Sequence, residues 1–165
     1  MSRTQILSAK QIQQKLNRIA WELYETNYQE PNIVIAGISG NGYVIAERLK
    51  AIIEEISSIN VLLTEIKINK KEPFKVPIEL NLSEDDYTGK AVILVDDVVN
   101  SGKTMIYGVK HFLNVPVKKI NTTALVNRKH LRFPIQTDYA GLVLSTSIKE
   151  HVAVEFGANE GAYIE

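Results

Sequence analysis

Residues 91–104, Ala-Val-Ile-Leu-Val-Asp-Asp-Val-Val-Asn-Ser-Gly-Lys-Thr, constrain the fold more than any other part of the sequence. The stretch begins with a short, largely β-branched apolar run, Ala91 to Val95, which is typical of a strand buried on both faces. Two carboxylates, Asp96 and Asp97, come next, followed by a small polar turn, Asn100 to Thr104, and then by helical apolar spacing. This order describes the carboxyl end of a parallel strand, where open α/β sheets bind ligands.

The acidic pair and the turn suit two parts of one ligand. Neighbouring strand residues point to opposite sides, so at most one of Asp96 and Asp97 follows the core face of the strand. Two carboxylates 4 Å apart repel by about 4 kcal/mol at an effective dielectric near 20, so the pair needs hydroxyl donors, such as a ribose diol, or a divalent cation. Backbone N–H groups and a helix dipole at Ser101 to Thr104 suit a phosphate monoester, and Gly102 permits close approach. The stretch therefore predicts a site for a ribose 5-phosphate.

Two other interpretations of the stretch are weaker. Gly102-Lys103-Thr104 looks like the end of a P-loop, but that motif needs a glycine five residues earlier, where Asp97 stands. Alternatively, the acids form a solvated strand end and Ser101 is a simple helix cap. That explanation treats the buried strand, the two acids and the glycine turn as a coincidence.

Val92 to Thr104 resembles the phosphoribosyl pyrophosphate (PRPP) motif of the type I phosphoribosyltransferases: four apolar residues, two acids, two apolar residues, a variable residue, then Thr/Ser-Gly-Lys/Arg-Thr. Wider similarity is to the pyrimidine operon attenuator and uracil phosphoribosyltransferase family. It covers nearly the whole chain, is patchy between Glu65 and Leu82, and rests on Arg3 to Ser8, Leu125 to Arg128, His130, Pro134-Ile135 and Thr146-Ser147. The resemblance implies that Asp96 and Asp97 orient the ribose hydroxyls, directly or through Mg²⁺-bound water. It also implies PRPP contacts for Asn100, Ser101, Gly102, Lys103 and Thr104.

A second glycine-containing loop, Gly37 to Gly42, follows the apolar strand candidate Ile33 to Ile38. It lacks the third glycine of the dinucleotide fingerprint, and it does not fit a nucleophile elbow around Ser39. Taken alone, it is explained equally well as a tight strand–helix turn. The resemblance makes it the loop whose backbone holds the diphosphate of PRPP, through Gly37, Ser39, Gly40, Asn41 and Gly42. Relatives typically have Lys, Thr and Arg before the final glycine, so this loop lacks cationic help for a leaving diphosphate.

Asn100 occupies the variable position of the PRPP motif. Hypoxanthine-type relatives carry Asp there, near the purine ring, and Asn cannot act as a base. This disfavours a 6-oxopurine specialist, but it does not identify the base, because the uracil branch has an aromatic or another residue at this position.

Basic residues are concentrated in Arg128-Lys129-His130-Leu131-Arg132. A formal net charge of zero argues against a globally basic nucleic-acid binder but permits a local patch. Attenuator relatives bind messenger RNA through a basic face, so the resemblance makes Arg18, Arg128, Lys129 and Arg132 candidate RNA contacts. An ordinary exposed loop is the alternative.

Apolar patterns predict alternating strands and helices. A capping box at Ser8 to Gln11 begins a helix that ends near Tyr28, and two further helices follow Gly42 and Thr104. Strands are predicted at 33–38, 61–68, 76–82, 91–95, 118–126, 139–144 and 152–156, with a turn at 85–89 and a tail of little pattern. We expect one domain, residues 1–165, with an α/β fold: a doubly wound, mostly parallel sheet, helices on both faces, and a small hairpin flap at 69–86.

The sequence as a whole predicts a cytoplasmic phosphoribosyltransferase that uses PRPP and Mg²⁺ to convert uracil to UMP with release of pyrophosphate. The chain has no cysteine, no signal-peptide core and no apolar run of membrane-spanning length. The resemblance implies a homodimer or larger homo-oligomer. The alternatives are a nucleotide-sensing, RNA-binding transcription attenuator with little catalytic activity, and a purine-salvage phosphoribosyltransferase.

Overall fold

The computed structural model describes residues 2–165, so Met1 of the predicted domain lies outside it. The described residues form nine strands and four helices. In chain order they are β1 (Thr4–Ser8), α1 (Ala9–Asn27), β2 (Asn32–Ile38), α2 (Asn41–Ile56), β3 (Asn60–Lys67), β4 (Glu79–Leu80), α3 (Glu84–Tyr87), β5 (Ala91–Val99), α4 (Lys103–Phe112), β6 (Lys119–Asn127), β7 (Tyr139–Val143), β8 (Val152–Glu155) and β9 (Gly161–Ile164).

Six strands form the main sheet, in the order β4-β3-β2-β5-β6-β7. All of its pairs are parallel except β3–β4. Alternate residues of the central strands enter two apolar clusters: Ile33 and Ile93 pack with α1 and α2, whereas Val34 and Leu94 pack with Met105 and Phe112 of α4. Helices therefore cover both faces, which confirms the predicted doubly wound α/β fold.

A small antiparallel sheet, β1-β9-β8, was not predicted, although its strand β8 corresponds to the strand predicted at 152–156. Thr4 of β1 pairs with Ile164 of β9, and Val154 of β8 pairs with Ala162. Leu7, Val154 and Ala162 enter the cluster that also holds α1 and α2, so the small sheet shares the main core. It brings the last strands of the chain to the glycine loop between β2 and α2.

Three elements differ in extent from their predictions. The predicted strand 76–82 is reduced to Glu79–Leu80, because Pro77 has no N–H group for a sheet ladder. The predicted turn at 85–89 contains a one-turn helix, in which Ser83 and Asp86 form a reciprocal capping box. Strand β5 continues to Val99, four residues beyond the predicted end, so both acids lie within the strand. Between residues 2 and 165, no helix combines the length and apolar character that crossing a membrane requires.

Candidate active site

The carboxyl end of β5 forms one wall of a cavity of about 230 Å³. Asp96 is 4% exposed and faces this cavity, on the α4 side of the sheet. The cavity brings together most of the predicted sugar and phosphate residues: its lining is Lys70, Asp96, Val98, Val99, Asn100, Ser101, Gly102, Lys103, Thr104 and Met105. Asp97 is not among them, as expected for the next residue of a pleated strand.

Burial raises the pKa of the Asp96 carboxyl well above its usual value. The negative charge of Asp97 raises the pKa further, whereas the ammonium group of Lys70 lowers it. One oxygen, Oδ1, accepts a 2.8 Å hydrogen bond from the backbone N–H of Asp97. The ionised carboxylate therefore lacks enough local donors, and a diol or a cation in the cavity would stabilise it.

The turn before α4 is shaped around Gly102, which has φ = 82°. A Cβ there would overlap Ile135 Cγ2, and the Ser101 carbonyl accepts hydrogen bonds from the N–H groups of Arg132 (2.9 Å) and Phe133 (3.2 Å). The loop after β6 thus fixes the turn, which needs glycine for both conformation and space. Gly102 has no side chain that could cap α4, and the first amide of the helix, that of Lys103, donates to Ser101 Oγ at 3.2 Å. The amides of Thr104 and Met105 have no acceptor within the helix.

The glycine loop approaches β5 from the α2 side. Asn41 is the first residue of α2, and its Nδ2 donates to Asp97 Oδ2 (3.3 Å) and to the carbonyl oxygen of Val154 (2.7 Å). A Cβ on Gly42 would lie 2.9 Å from the carbonyl oxygen of Val95, so glycine is required for this approach. The structure therefore brings Asn41 and Gly42 against the acidic pair: Asn41 bonds Asp97, and Gly42 lies next to Asp96, which also lines the cavity of the turn.

The rest of the glycine loop lacks cationic residues of its own. Ser39 Oγ donates to Glu65 Oε1 at 2.8 Å, which places an acid where a leaving diphosphate would gain from a cation. Lys67 and Ser39 line a neighbouring cavity of about 380 Å³. Two predicted diphosphate contacts do not fit, because Gly37 lies within β2 between two paired strands and the Ser39 N–H donates to the carbonyl oxygen of Ile66 at 3.0 Å. Gly40, at φ = 90°, precedes α2 without a side-chain cap, so the amides of Gly40 to Gly42 are the available anion donors of this loop.

The segment between β3 and β4, predicted as a hairpin flap, extends over the turn. Lys103 Nζ donates to the carbonyl oxygen of Lys71 at 3.0 Å and lies 6.0 Å from the centre of the Phe74 ring. Lys70 lines the cavity itself. The flap thus supplies a cation, Lys70, next to Asp96.

The predicted RNA contacts divide into two groups. Lys129 and Arg132 are exposed, and Arg18 is exposed but donates to the carbonyl oxygens of Ala140 (3.3 Å) and Gly141 (3.2 Å). Arg128 does not fit the prediction, because it is 6% exposed and its guanidinium is enclosed by protein acceptors. Its burial depends on acceptors far away in sequence, which a basic run cannot reveal.

The donor set for a metal ion is small. Among residues 2–165 there is no group of three or more His, Asp or Glu side chains that could enclose one. Of the two acids, only Asp96 places a buried carboxylate in the wall of the cavity. Such a set suits Mg²⁺, which is usually held by one or two carboxylates together with water and substrate phosphates.

Comparison with known proteins agrees with this geometry. Residues 2–159 match the family described as phosphoribosyl transferase domain. Proteins named bifunctional protein PyrR are similar over most of the chain. That of Streptococcus pyogenes is 29% identical, over 94% of this chain and 91% of the relative. That of Fusobacterium nucleatum is 31% identical, over 90% of this chain and 88% of the relative. Among solved structures, hypoxanthine phosphoribosyltransferase of Trypanosoma cruzi has a TM-score of 0.78 at 12% identity, covering 98% of this chain and 95% of its own. Hypoxanthine-guanine phosphoribosyltransferase of Bacillus anthracis has a TM-score of 0.71 at 21% identity, covering 86% and 82%.

Proposed function

The chain belongs to the phosphoribosyl transferase domain family, and from this premise we propose that it transfers the 5-phosphoribosyl group of PRPP to uracil, giving UMP and pyrophosphate. It is a phosphoribosyltransferase by family and by fold; the choice of uracil and the roles of single residues are the proposal. One observation carries it. A buried carboxylate, Asp96, shares a cavity with the Ser101–Thr104 turn at the N-terminus of α4.

In this mechanism the protein holds PRPP at both ends. Asp96 accepts hydrogen bonds from the ribose hydroxyls, and the amides and hydroxyls of Ser101 to Thr104 bind the 5′-phosphate. Backbone N–H groups of Gly40 to Gly42 bind the diphosphate, while Asn41 holds the Asp97 carboxylate beside them. With its ends fixed, PRPP presents its anomeric carbon to the nucleobase, and orientation supplies most of the rate enhancement.

Bond making and breaking are confined to the anomeric carbon. The bond from this carbon to the diphosphate oxygen breaks, a bond to a pyrimidine nitrogen forms, and the proton of that nitrogen passes to the departing diphosphate. Asp96 and Asp97 are the residues that would hold Mg²⁺ through water, and the ion would neutralise charge on the leaving diphosphate. Lys70 adds positive charge from the flap, which also excludes water that would otherwise hydrolyse the sugar cation.

Uracil is supported by the similarity to the uracil and attenuator branch. Asn100 cannot serve as a general base, which disfavours purine salvage as the main activity. The hypoxanthine enzymes found among solved structures are at most 21% identical, and their likeness supports the fold rather than the base.

A second function, nucleotide-dependent RNA binding for transcription attenuation, is supported by the exposed charges of Lys129 and Arg132 and by relatives named bifunctional. The same cavity would then act as the nucleotide sensor. We also propose a single domain and a cytoplasmic homodimer or larger homo-oligomer. Large exposed apolar side chains support self-association: Trp21, Tyr28, Leu113, Val143 and Ile148.

The decisive experiment measures pyrophosphate release from PRPP and Mg²⁺ with uracil, hypoxanthine, guanine or no base. Turnover with uracil that is lost in Asp96→Asn supports the proposal. Turnover with a purine in preference to uracil would replace it with purine salvage. If no base is consumed but UMP alters RNA binding, the regulator is the correct function.

A further inference from the structure

The side chain of Lys103 has its partners in the flap. Its ammonium nitrogen, Nζ, donates to the carbonyl oxygen of Lys71 at 3.0 Å and lies 6.0 Å from the centre of the Phe74 ring. The backbone N–H of the same residue donates to Ser101 Oγ at 3.2 Å. Lys103 therefore extends from the phosphate-binding turn, residues 101–104, to the segment between β3 and β4.

The middle of the flap has little support from the core. Residues 69–77 are exposed except for Pro73, and the Phe74 side chain is 63% exposed. A segment with so few buried contacts opens easily. An ammonium group is attracted to the face of an aromatic ring, and it also donates strongly to a carbonyl oxygen. The two contacts of Lys103 therefore fasten an otherwise weakly held part of the flap to the start of α4.

Lys70 lies between two fixed points of this segment. On one side, Asn69 Oδ1 accepts hydrogen bonds from the backbone N–H groups of Lys71 (3.1 Å) and Glu72 (3.0 Å), which folds the chain into a turn. On the other side, Lys103 holds the Lys71 carbonyl. The Lys70 side chain lines the cavity that Asp96 also lines. If the flap moved away, the Lys70 cation would leave that cavity with it.

We infer that Lys103 is a positioning residue, whose ammonium group fastens the flap so that the Lys70 cation stays in the cavity with Asp96. The inference rests on the proposed function and assigns the Lys103 side chain to the flap instead of the ligand phosphate. The phosphate is then bound by the other groups of the turn, and Lys70 supplies the positive charge. Because Lys103 acts through Lys70, removing either ammonium group should remove the same contribution.

A double-mutant cycle tests whether Lys103 acts through Lys70. Lys103→Met keeps the apolar stem and removes the ammonium group. In the wild-type background we expect it to lower kcat/KM for PRPP about fivefold, the factor that one hydrogen bond of ordinary strength accounts for. In a Lys70→Ala background the same substitution should change kcat/KM by less than about twofold, because the cation that Lys103 positions is already absent.

Two further variants separate the contact from a general loss of charge. Lys103→Arg should restore kcat/KM, because a guanidinium also donates to a carbonyl oxygen and stacks on an aromatic ring. Lys110→Met is the matched control, since it makes the same substitution at an exposed lysine of α4 outside the cavity. It should leave kcat/KM unchanged.

Amide hydrogen exchange of the free protein gives a second measurement that needs neither ligand nor turnover. We expect the N–H groups of Lys71 and Glu72 to exchange about fivefold faster in Lys103→Met, because the flap then opens more often. Lys103→Arg and Lys110→Met should exchange at the wild-type rate. Lys70→Ala should do so too, because Lys70 depends on the flap and does not hold it.

An equal loss of kcat/KM in both backgrounds would show that Lys103 acts on the ligand itself, so this inference would be wrong while the proposed function stands. Unchanged hydrogen exchange in Lys103→Met would also overturn it. If the wild-type protein releases no pyrophosphate from PRPP with any base, the proposed function fails. The exchange rates alone then decide whether Lys103 fastens the flap.

Discussion

Asp96 is the residue whose charge the fold opposes most strongly. Burial and then the charge of Asp97 raise its pKa, so the folded protein binds a proton there more tightly than the unfolded chain does. For a carboxyl with a raised pKa, this contribution to stability is fully present below the unfolded pKa and is lost as the pH rises through the interval up to the folded pKa. At any pH above the unfolded pKa, the raised pKa of Asp96 therefore lowers the stability of the free protein.

We predict that Asp96→Asn stabilises the free protein at neutral pH and abolishes detectable PRPP binding. The amide removes the buried charge, and each kcal/mol gained should raise the melting temperature by about 2–4 °C for a chain of this size. Thermal melts at several pH values and calorimetry with PRPP and Mg²⁺ measure the two effects. The stabilisation should shrink as the pH is lowered, because Asp96 then becomes neutral in the wild-type protein too.

Asp85→Asn changes an exposed acid of α3 and is the matched control for this variant. It should leave PRPP binding unaltered. A loss of stability in Asp96→Asn, or retention of PRPP affinity, would contradict the role assigned to the buried carboxylate.

Lys70 is the flap cation that lines the cavity. We predict that Lys70→Ala lowers kcat/KM by about 10- to 100-fold, which corresponds to a loss of about 1.4–2.8 kcal/mol of transition-state stabilisation. The glycine loop has no cation at Ser39 to Asn41, so the loss has no local replacement. Initial rates at varied PRPP give the measurement. Lys75→Ala, in the same flap but outside that cavity, is the control. Equal rates in the two variants would exclude a specific role for Lys70.

At the scale of elements, α2 is joined to the segment before β9 by a two-bond ion pair. Arg48 Nη1 and Nη2 lie 3.0 and 2.6 Å from the two carboxylate oxygens of Glu160, and the guanidinium lies 4.8 Å from the centre of the Phe156 ring. The hydrogen bonds from Arg48 lower the pKa of Glu160. A lowered pKa contributes stability that is present above the unfolded pKa and is lost as the pH falls through the folded pKa.

We therefore predict that Glu160→Gln destabilises the protein by about 1 kcal/mol at neutral pH, the scale of a partly exposed, well-aligned ion pair. Urea unfolding would measure the difference, which should vanish once the pH is below the pKa of Glu160 in the folded protein. Glu47→Gln, an exposed change on the same helix, should have almost no effect. A difference that persists in acid would indicate lost packing instead of lost charge.

The sequence predicted elements whose signals are local. The capping box at Ser8 is present, with Gln11 N donating to Ser8 Oγ at 3.2 Å, and α1 ends within one residue of its predicted end. The stretch from Val92 to Thr104 was also predicted in its order of strand, acids, turn and helix. These patterns are visible because each residue depends on neighbours a few positions away.

Features formed by distant residues were not predicted. Strands β1 and β9 are short and exist through their pairing across most of the chain. The hydrogen bond from Asn41 to the Val154 carbonyl depends on that small sheet, and the burial of Arg128 depends on acceptors from residues 100 to 150. The sequence shows which polar groups need hydrogen-bond partners, but these partners lie far apart in the sequence and become neighbours only in the folded chain.

For the molecule as a whole, we predict that Lys129→Asn with Arg132→Gln weakens RNA binding. Asn suits position 129, where φ is +60°. The probe is a mixed-sequence single-stranded RNA oligonucleotide in the presence of UMP, titrated at several salt concentrations. Loss of two phosphate contacts should reduce the slope of log affinity against log salt by about 1.4.

Lys110→Gln, on α4 across the sheet from α1, is the control and should retain the wild-type slope. An unchanged slope in the double variant, or no RNA binding by the wild-type protein, would remove this basic loop from the proposed regulatory function.

The contact between Lys103 and the flap makes the phosphate-binding turn accessible to spectroscopy. Because Lys103 Nζ lies near both the Lys71 carbonyl and the Phe74 ring, an indole placed at position 74 would report on the ammonium beside it. Trp21 is the sole tryptophan of the sequence and lies on α1, so a Trp21→Phe, Phe74→Trp protein would carry one fluorophore at the flap. Its fluorescence emission should change when ribose 5-phosphate binds at the turn. Stopped-flow fluorescence would then follow ligand binding and flap movement with the same signal.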